Sequence, residues 1–562
     1  MHPRRGLWLM LTALTVAGLI LAACGGGGGP AALETAAPEE GQPAEQAKVA
    51  TFIFTQEFDT LNPAYTNQFY SIITHQLWNC WAWDFDDKNI PRPVLVTEIP
   101  TLENGGLSPD GRVITIKLRP DLVWSDGAPL TSDDFVFTAE MHTSPQNAVA
   151  TAYPYDQLEK IEAPDPTTVV LTFKEPFVSW AGTLWHGMLP AHILRPIFDQ
   201  EGTLDNAAWN LDPTVGCGPY VFEQWESGSY ARFVANDQYW GAKPNIGEIF
   251  IRFVPDDASQ IAALKAGDGD LGTFMAYPDI PGLQQAGIEI IPAYSGYNEG
   301  WYLLLDPELA HPAMLDVRVR QALAMAFDRV SLNKDLLLGL TQPAATYWDN
   351  TPYTDPSIQP WPYDPEKAKQ LLDEAGWKDT NGDGVRDKDG VELVLTYGTV
   401  TREVRQDTQA VAQQQLAAVG IKVELSNYDS DIFFSTYGDD GPVAKGRVDI
   451  SEWSDTSYGW PDPDIMYWRC SEIPSDESPA GTNWQYLCDE ELDALFAEQA
   501  TQLDPAARQA TFQKISKLMF EKVYWLGLWQ DPDQWAIGAR LSGVKISGVT
   551  PFYSILEWDL AP

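Results

Sequence analysis

Patterns typical of strands and helices alternate along most of this chain, and this alternation sets its fold class. Period-two apolar residues mark strands at 113–118, 168–173 and 248–253. A helix at about 258–266, ended by Gly267, and a strand near 271–274 then form a β-α-β unit. Further helices are expected at 316–329, 364–376, 407–419 and from Asp504-Pro505 to about Val523. We therefore expect an α/β protein.

The chain is too long for a single hydrophobic core. The roughly 510 residues after position 48 call for at least two domains. The patterns favour two α/β lobes, at 49–292 and 293–524, with the strand-like tail 525–562 returning to the first lobe. Lobes joined by more than one crossing can hinge, and ligands favour the cleft between them.

The first residues have the layout of a secretory signal. Arg4 and Arg5 precede an uncharged apolar run over 7–20, and the letters LAAC stand at 21–24. Cys24 is the residue that a bacterial lipoprotein pathway would acylate after removal of 1–23. An ordinary signal peptide with a chance cysteine is the alternative, and a membrane helix is disfavoured because the run is shorter than the ~20 residues a span needs. Residues 24–48, rich in Gly, Ala, Pro and Glu, read as a disordered tether.

The net charge limits the classes of partner, and the cysteines bear on the compartment in which the protein works. The net charge is -43, from 79 acidic and 36 basic residues, which argues against nucleic acid and anionic lipid surfaces as partners. An exported chain meets oxidising conditions, so we expect a disulfide between Cys470 and Cys488, which flank a short loop. Cys80 and Cys217 are a leftover pair, bonded or free.

Several strings resemble the family 5 solute-binding proteins of ABC importers, the dipeptide and oligopeptide binders. They stand in the family's order: LNP at 61–63, SPDGR at 108–112, WSDG at 124–127, DDFVF at 133–137, GCGPY at 216–220, NDQYWG at 236–241, KP at 243–244, DVRVRQAL at 316–323, AFDR at 326–329, DPEKAK at 364–369 and EAG at 374–376. Cys217 replaces a threonine of the family pattern. The likeness runs from about Thr51 to the C-terminus, and the shared order makes it specific.

The resemblance implies a fold and a task. The fold is the two-lobed periplasmic-binding-protein type, type II, of the large cluster whose first lobe carries an extra subdomain. The task is to capture a solute, most often a peptide, and to deliver it to ABC permease subunits without catalysing a reaction. With Cys24 acylated, we expect the protein to work as a monomer on the outer face of the cytoplasmic membrane, held there by its lipid alone.

The resemblance also suggests an anchor for the ligand. In the peptide binders an aspartate, within a Trp-x-x-Asp stretch, pairs with the free ammonium of the peptide. Asp455 is the best match here, offset by one residue, and Asp462 is the reserve. Trp453 and Trp460 lie beside it and could contact the ligand. A carboxylate that only caps a turn is the competing interpretation of Asp455.

Other motifs leave alternatives open. Asp379, Asn381, Asp383 and Asp387 have the spacing of an EF-hand-like loop, but Gly390 stands where the closing glutamate belongs, so calcium is a weak candidate beside a plain turn. We expect no cofactor and no other metal. The rival functions are the same scaffold binding an oligosaccharide, a glycosidase-type enzyme for which no carboxylate pair can be placed, and a receptor that presents ligand to a sensor.

Overall fold

The computed structural model describes residues 48–455, 463 and 465–561. The leader, Cys24, the tether up to residue 47, Trp460 and Asp462 lie outside these described residues. The strands, in chain order, are β1 (Val49–Phe54), β2 (Trp83–Phe85), β3 (Pro91–Pro93), β4 (Val113–Lys117), β5 (Leu158–Asp165), β6 (Thr168–Phe173), β7 (Tyr220–Glu226), β8 (Tyr230–Ala235), β9 (Glu248–Phe253), β10 (Leu271–Gly272), β11 (Glu289–Ala293), β12 (Asn298–Leu303), β13 (Asp387–Lys388), β14 (Val391–Glu392), β15 (Val394–Val400), β16 (Lys422–Tyr428), β17 (Ile450–Asp455), β18 (Trp525–Gln530), β19 (Asp533–Ile537), β20 (Leu541–Ser542) and β21 (Asp559–Leu560).

The helices of the described residues cover both sheets, and six of them begin at an aspartate whose side chain accepts a backbone N–H. Asp256, Asp364 and Asp504 each accept a backbone N–H at a helix start, as the sequence predicts for such residues. The helices are α1 (Phe69–Trp78), α2 (Ser132–Thr143), α3 (Trp180–Thr183), α4 (Ala191–Glu201), α5 (Asp257–Ala266), α6 (Ile280–Gln285), α7 (Val317–Ala326), α8 (Arg329–Leu336), α9 (Pro365–Glu374), α10 (Glu403–Ala417), α11 (Ser430–Phe433), α12 (Glu490–Gln499) and α13 (Pro505–Lys522). Among them, no helix is long and apolar enough to cross a membrane.

A seven-stranded mixed sheet organises the first lobe. Its strand order is β11-β19-β10-β1-β9-β8-β7, and β1 pairs in parallel with both β9 and β10. Phe52 and Phe54 of β1 are fully buried, because a strand between parallel neighbours has both faces covered. The antiparallel sheet β4-β6-β5, packed against α2, lies between β1 and β7 along the chain and forms the extra subdomain.

A five-stranded sheet organises the second lobe. Its order is β16-β15-β17-β12-β18, and every residue of β12 and β18 is buried. The residues of α7, α9 and α10 that pack on one face join β12, β15 and β17 in one apolar core. A second core, rich in tryptophan and tyrosine, covers the other face beneath α12 and α13. The molecule is therefore the two-lobed α/β fold that the resemblance implies.

Two boundaries differ from the sequence expectation. The tail does not return to the first lobe at Trp525, because 525–530 is the buried strand β18 paired with β12. The return comes after Gln530, and β19 is the strand that joins the first sheet. The helix expected at 316–329 is two helices, since Phe327 is extended and Asp328 caps α8.

Candidate functional site

Two connections join the sheets, and they run side by side. β11 leads to β12 through residues 294–297, and β18 leads to β19 through 531–532. Ala293 pairs with Asp533 on one side of this crossing and Asn298 pairs with Gln530 on the other. Between them, the Asp531 N–H donates to the Tyr297 carbonyl at 3.0 Å. A short antiparallel ladder thus bridges the lobes, which is the geometry of a hinge with a defined axis.

Asp455 lies at the edge of this crossing. It is the last residue of β17 and pairs with Asn298, the first residue of β12 after the connection. Directly opposed residues of antiparallel strands lie about 5 Å apart, so Asp455 is one strand spacing from the hinge. The Trp453 indole N–H approaches its Oδ2 at 3.4 Å, and the side chain is half-buried. The predicted anchor therefore stands where the two lobes meet.

Two further carboxylates share this place, and the sequence analysis did not single them out. Burial, and after it the charges of Asp455, Asp533 and Asp531, raise the pKa of the Tyr297 phenol to about 12, so all three acids act on one ring. Burial and the neighbouring Asp531 raise the pKa of Asp533 to about 7. The string Asp531-Pro532-Asp533 is a turn signal in the sequence, but it does not tell which sheets the turn connects.

The three acids concentrate negative charge at the crossing. We call Asp455, Asp531 and Asp533 the crossing carboxylates. Like charges held this close favour a cation among them, and they make full ionisation costly while the site is empty. Two basic residues oppose this negative charge: Asp531 also acts on the Arg405 guanidinium, and Arg402 weakly opposes the rise in the pKa of Tyr277, which is caused mainly by burial and Asp531.

Trp453 belongs to the aromatic core of the second lobe. Its ring stacks on Tyr302 with 3.5 Å between centroids and 3° between planes, and the residue is only 3% exposed. Phe434 and Trp484 meet it edge-on. Trp453 and Asp455 are two residues apart in β17 and therefore lie on the same face of the sheet, where the buried Trp453 ring supports the position of Asp455.

The opposite face of the same sheet holds a buried polar cluster that sequence reasoning missed. Arg405 of α10 donates two hydrogen bonds to Glu299, at 2.7 and 2.9 Å, and both side chains are almost fully buried. Burial alone would lower the pKa of Arg405, but the Glu299 carboxylate raises it overall. Tyr397 donates to Glu452 and accepts from the Trp301 indole N–H at 2.7 Å.

Burial favours the neutral form of Glu452 in this cluster. Burial and the charge of Glu299 raise its pKa well above the ordinary value. Its Oε1 has no hydrogen-bond partner among the described residues. Burying a charge is costly unless it is paired, and Arg405 is already paired with Glu299. The cluster therefore carries one ion pair and one protonated carboxyl under the strands that bear the site.

The cysteines and the acidic loop take definite positions. The structure joins Cys470 to Cys488 and Cys80 to Cys217 by disulfide bonds.

In the acidic loop, Asp379 accepts the N–H groups of Gly382 and Gly384, at 2.6 and 3.0 Å. Asp387 accepts the Thr380 N–H at 2.9 Å, which is also turn geometry. Across the part of the chain that the structure describes, no group of three or more His, Cys, Asp or Glu side chains is arranged to hold a metal ion.

Comparisons with known proteins agree on one family. Residues 91–474 match the model of the bacterial extracellular solute-binding proteins, family 5. The oligopeptide-binding protein AppA of Bacillus subtilis is 26% identical over the full length of both chains. A putative ABC transporter peptide-binding protein of Brucella ovis is 30% identical, over 75% of this chain and 77% of the relative.

Solved structures give the same picture. AppA of Bacillus subtilis in complex with a nonapeptide aligns with a TM-score of 0.64 at 25% identity, over 92% of this chain and 99% of that one. The substrate-binding protein CtaP of Listeria monocytogenes aligns with a TM-score of 0.75 at 22% identity, over 92% and 100%, and shows the shared fold. This chain belongs to the family 5 bacterial extracellular solute-binding proteins.

Proposed function

We propose that this protein captures peptides outside the cytoplasm and delivers them unaltered to the permease of an ABC importer. The names of its relatives, AppA among them, support peptide as the solute class. The observation that carries the proposal is the place of Asp455, opposite Asn298 at the crossing between the lobes. A ligand that enters the cleft can contact a carboxylate at this position, and both lobes can close on the ligand there.

The chemistry of a peptide matches this place. Its terminal ammonium must be paired when it leaves water, and a hydrogen bond between two charged groups is among the stronger pairings. Asp455 takes this role, and Asp531 and Asp533 add favourable field from the adjacent connection. The rest of the peptide lies extended and bonds through its backbone, as an added strand would.

Binding is then coupled to closure. A ligand shifts the population of lobe arrangements only by contacts that differ between them. A peptide held at Asp455 and touched by the first lobe only after closure makes such contacts. No bond of the solute changes in this cycle, so the protein acts as a carrier and not as an enzyme.

The proposed working place is the outer face of the cytoplasmic membrane. Cys24 carries the lipid, and residues 24–48 act as the tether to a monomeric binding unit. Detergent-phase partitioning of the protein expressed in a bacterial host tests this step. The native chain should enter the detergent phase and a Cys24→Ser variant should stay in the aqueous phase; equal partitioning of the two would refute lipidation.

The solute class is tested by titration with two ligand families. Di- to pentapeptides and cello-oligosaccharides are added in turn while tryptophan fluorescence is followed, and the bound material is recovered and weighed by mass spectrometry. We expect saturable changes with peptides, flat signals with the sugars, and peptides of unchanged mass. Saturation by sugars alone would establish the oligosaccharide alternative, and cleaved ligand would establish an enzyme.

A further inference from the structure

Arg402 lies at the same edge of the second sheet as Asp455. β15 and β17 run in parallel, and Gly398 pairs with Ser451. Four residues further along each chain stand Arg402, whose backbone is extended, and Asp455. The carboxyl ends of parallel strands meet at one edge of a sheet, so the two residues reach this edge side by side. Adjacent strands lie about 4.8 Å apart, and residues at matching positions point to the same face.

The guanidinium of Arg402 is an unpaired positive charge. The residue is exposed, and its side chain has no ion pair or hydrogen bond within the part of the chain that the structure describes. Arg405, three residues further on, is buried instead and donates two hydrogen bonds to Glu299. The charge of Arg402 acts on groups of both lobes, on Tyr277 of the first and on Glu452 of the second. An unpaired cation therefore stands at the crossing, beside the predicted anchor.

Charges of both signs thus lie side by side at this edge. The protein carries a net charge of -43, so its overall field repels anionic ligands, and a local cation is needed to hold one. A guanidinium binds a carboxylate through two parallel hydrogen bonds, which is among the stronger polar pairings. Asp455 suits an ammonium in the same way. The two side chains together match a ligand that carries an ammonium and a carboxylate close to each other.

The spacing of the two residues limits how far apart the charges of the ligand can be. An extended chain spans at most about 3.5 Å per residue, so the ammonium and the carboxylate of a dipeptide lie within about 7 Å of each other. One strand spacing together with the length of an arginine side chain covers that distance. The terminal carboxylate of an extended pentapeptide lies up to about 17 Å from its ammonium, which is beyond this reach. An acidic side chain at the second position of a pentapeptide is within it.

We propose that Arg402 binds a carboxylate that the ligand carries within two residues of its terminal ammonium. This inference rests on the proposed function, because it takes Asp455 as the partner of the ammonium. The carboxylate is either the C-terminus of a dipeptide or an acidic side chain at the second position of a longer peptide. Arg402 thereby determines which peptides the protein prefers, since a peptide without such a carboxylate leaves the guanidinium in water.

Calorimetry with two matched ligand pairs tests the proposal on the full chain. The first pair is alanyl-alanine and its C-terminal amide. The second pair is the pentapeptide amides Ala-Glu-Ala-Ala-Ala and Ala-Gln-Ala-Ala-Ala, which differ in the charge of one side chain. We expect the carboxylate member of at least one pair to bind at least about tenfold more tightly than its neutral member. The pair that responds identifies the source of the carboxylate.

Two variants assign the preference to one guanidinium. Arg402→Gln should abolish it, because glutamine has no charge to pair with the carboxylate. Arg252→Gln should retain it and is the matched control, since Arg252 is also exposed and unpaired among the described residues but lies on β9 of the first lobe. Equal affinities within both pairs for the native chain, or a preference that survives in Arg402→Gln, would overturn the proposal and leave peptide binding in place. If none of the four ligands bound, the proposal and the proposed function would both fall.

Discussion

At the scale of single residues, the protonation of Asp533 at the crossing makes the stability of the protein depend on pH. Its carboxyl is partly buried and lies next to Asp531, and both effects raise its pKa to about 7. An acid whose pKa is higher in the folded than in the unfolded chain holds its proton more tightly when folded. The stability that this proton confers is present at low pH and is lost as pH rises from about 4 to about 7.

Asp533→Asn should therefore stabilise the protein selectively above neutrality. Asparagine keeps the shape and removes the charge that burial disfavours. We expect the free energy of unfolding at pH 8 to rise by on the order of 1–2 kcal/mol relative to the native chain, and to differ little at pH 4. Urea unfolding at the two pH values measures this difference. Equal effects at both values would mean that Asp533 ionises as a solvated carboxyl does.

The buried cluster beneath the site makes two isosteric substitutions differ strongly. Burial and the charge of Glu299 favour the neutral form of Glu452, so Glu452→Gln should change the free energy of unfolding by less than about 1 kcal/mol. Glu299→Gln removes the partner of a buried guanidinium and should cost about 3–5 kcal/mol. Denaturant titration of both variants at pH 7 tests this. Similar losses in the two would contradict the assignment of charge to Glu299 alone.

The sequence predicted part of this site and missed the rest for a physical reason. Asp455 could be singled out through the resemblance of its surroundings to the Trp-x-x-Asp stretch of the peptide binders, and its role as an anchor stays a prediction. Asp531 and Asp533 could not, since an Asp-Pro-Asp string has the same local chemistry in any turn and only the pairing of β11 with β19 brings it beside Tyr297. The support that Trp453 gives from the aromatic core likewise depends on Tyr302, which is distant in sequence.

At the scale of elements, Gly300 sets how closely β12 and β18 approach. The register between them shifts at Glu299/Gly300, and a Cβ on Gly300 would lie 2.2 Å from Cε2 of Trp525. The backbone conformation at Gly300 does not require glycine, because its φ is not in the left-handed region. Glycine is needed at position 300 because a side chain there would have no space beside the Trp525 indole ring.

Gly300→Ala should lower the free energy of unfolding by about 1–3 kcal/mol, because the core is overpacked. Adding Trp525→Phe, which removes the clashing part of the ring, should make the pair less destabilised than the sum of the two single variants. Thermal unfolding of the four proteins in this cycle gives the interaction energy. Strict additivity would show that the strand spacing adjusts without involving Trp525.

Helix starts could be predicted from sequence, whereas breaks within apolar runs could not. Pro365 and Pro505 begin α9 and α13 where the capping aspartate and proline place them. The break between α7 and α8 escapes the pattern because Phe327 continues the apolar stripe, and only its extended backbone ends the helix. The sequence places β18 in the wrong lobe for a similar reason, since its apolar run over 525–529 suits either sheet.

At the scale of the whole molecule, the paired connections limit the motion that a ligand can drive. Two antiparallel segments joined by the Asp531–Tyr297 hydrogen bond resist twisting but allow bending about one axis. Peptide binding should therefore close the lobes as rigid bodies. Asp455 belongs to β17 and therefore stays with the second lobe during this motion, while the first lobe moves toward it.

Small-angle X-ray scattering should record this closure. With a saturating peptide we expect the radius of gyration of the folded part, about 24 Å for its length, to fall by on the order of 1 Å. Identical profiles with and without a peptide that calorimetry shows to be bound would refute closure.

Calorimetry of one peptide in two forms tests whether the terminal ammonium of a bound peptide pairs with Asp455. A pentapeptide with a free N-terminus and its N-acetylated form are titrated into the native protein, Asp455→Asn and the control Asp199→Asn, which is exposed on α4. The account predicts that acetylation and Asp455→Asn each weaken binding by at least about tenfold and that together they weaken it little further, with the control unchanged. Free-peptide binding to Asp455→Asn that is as tight as binding to the native protein would contradict the account.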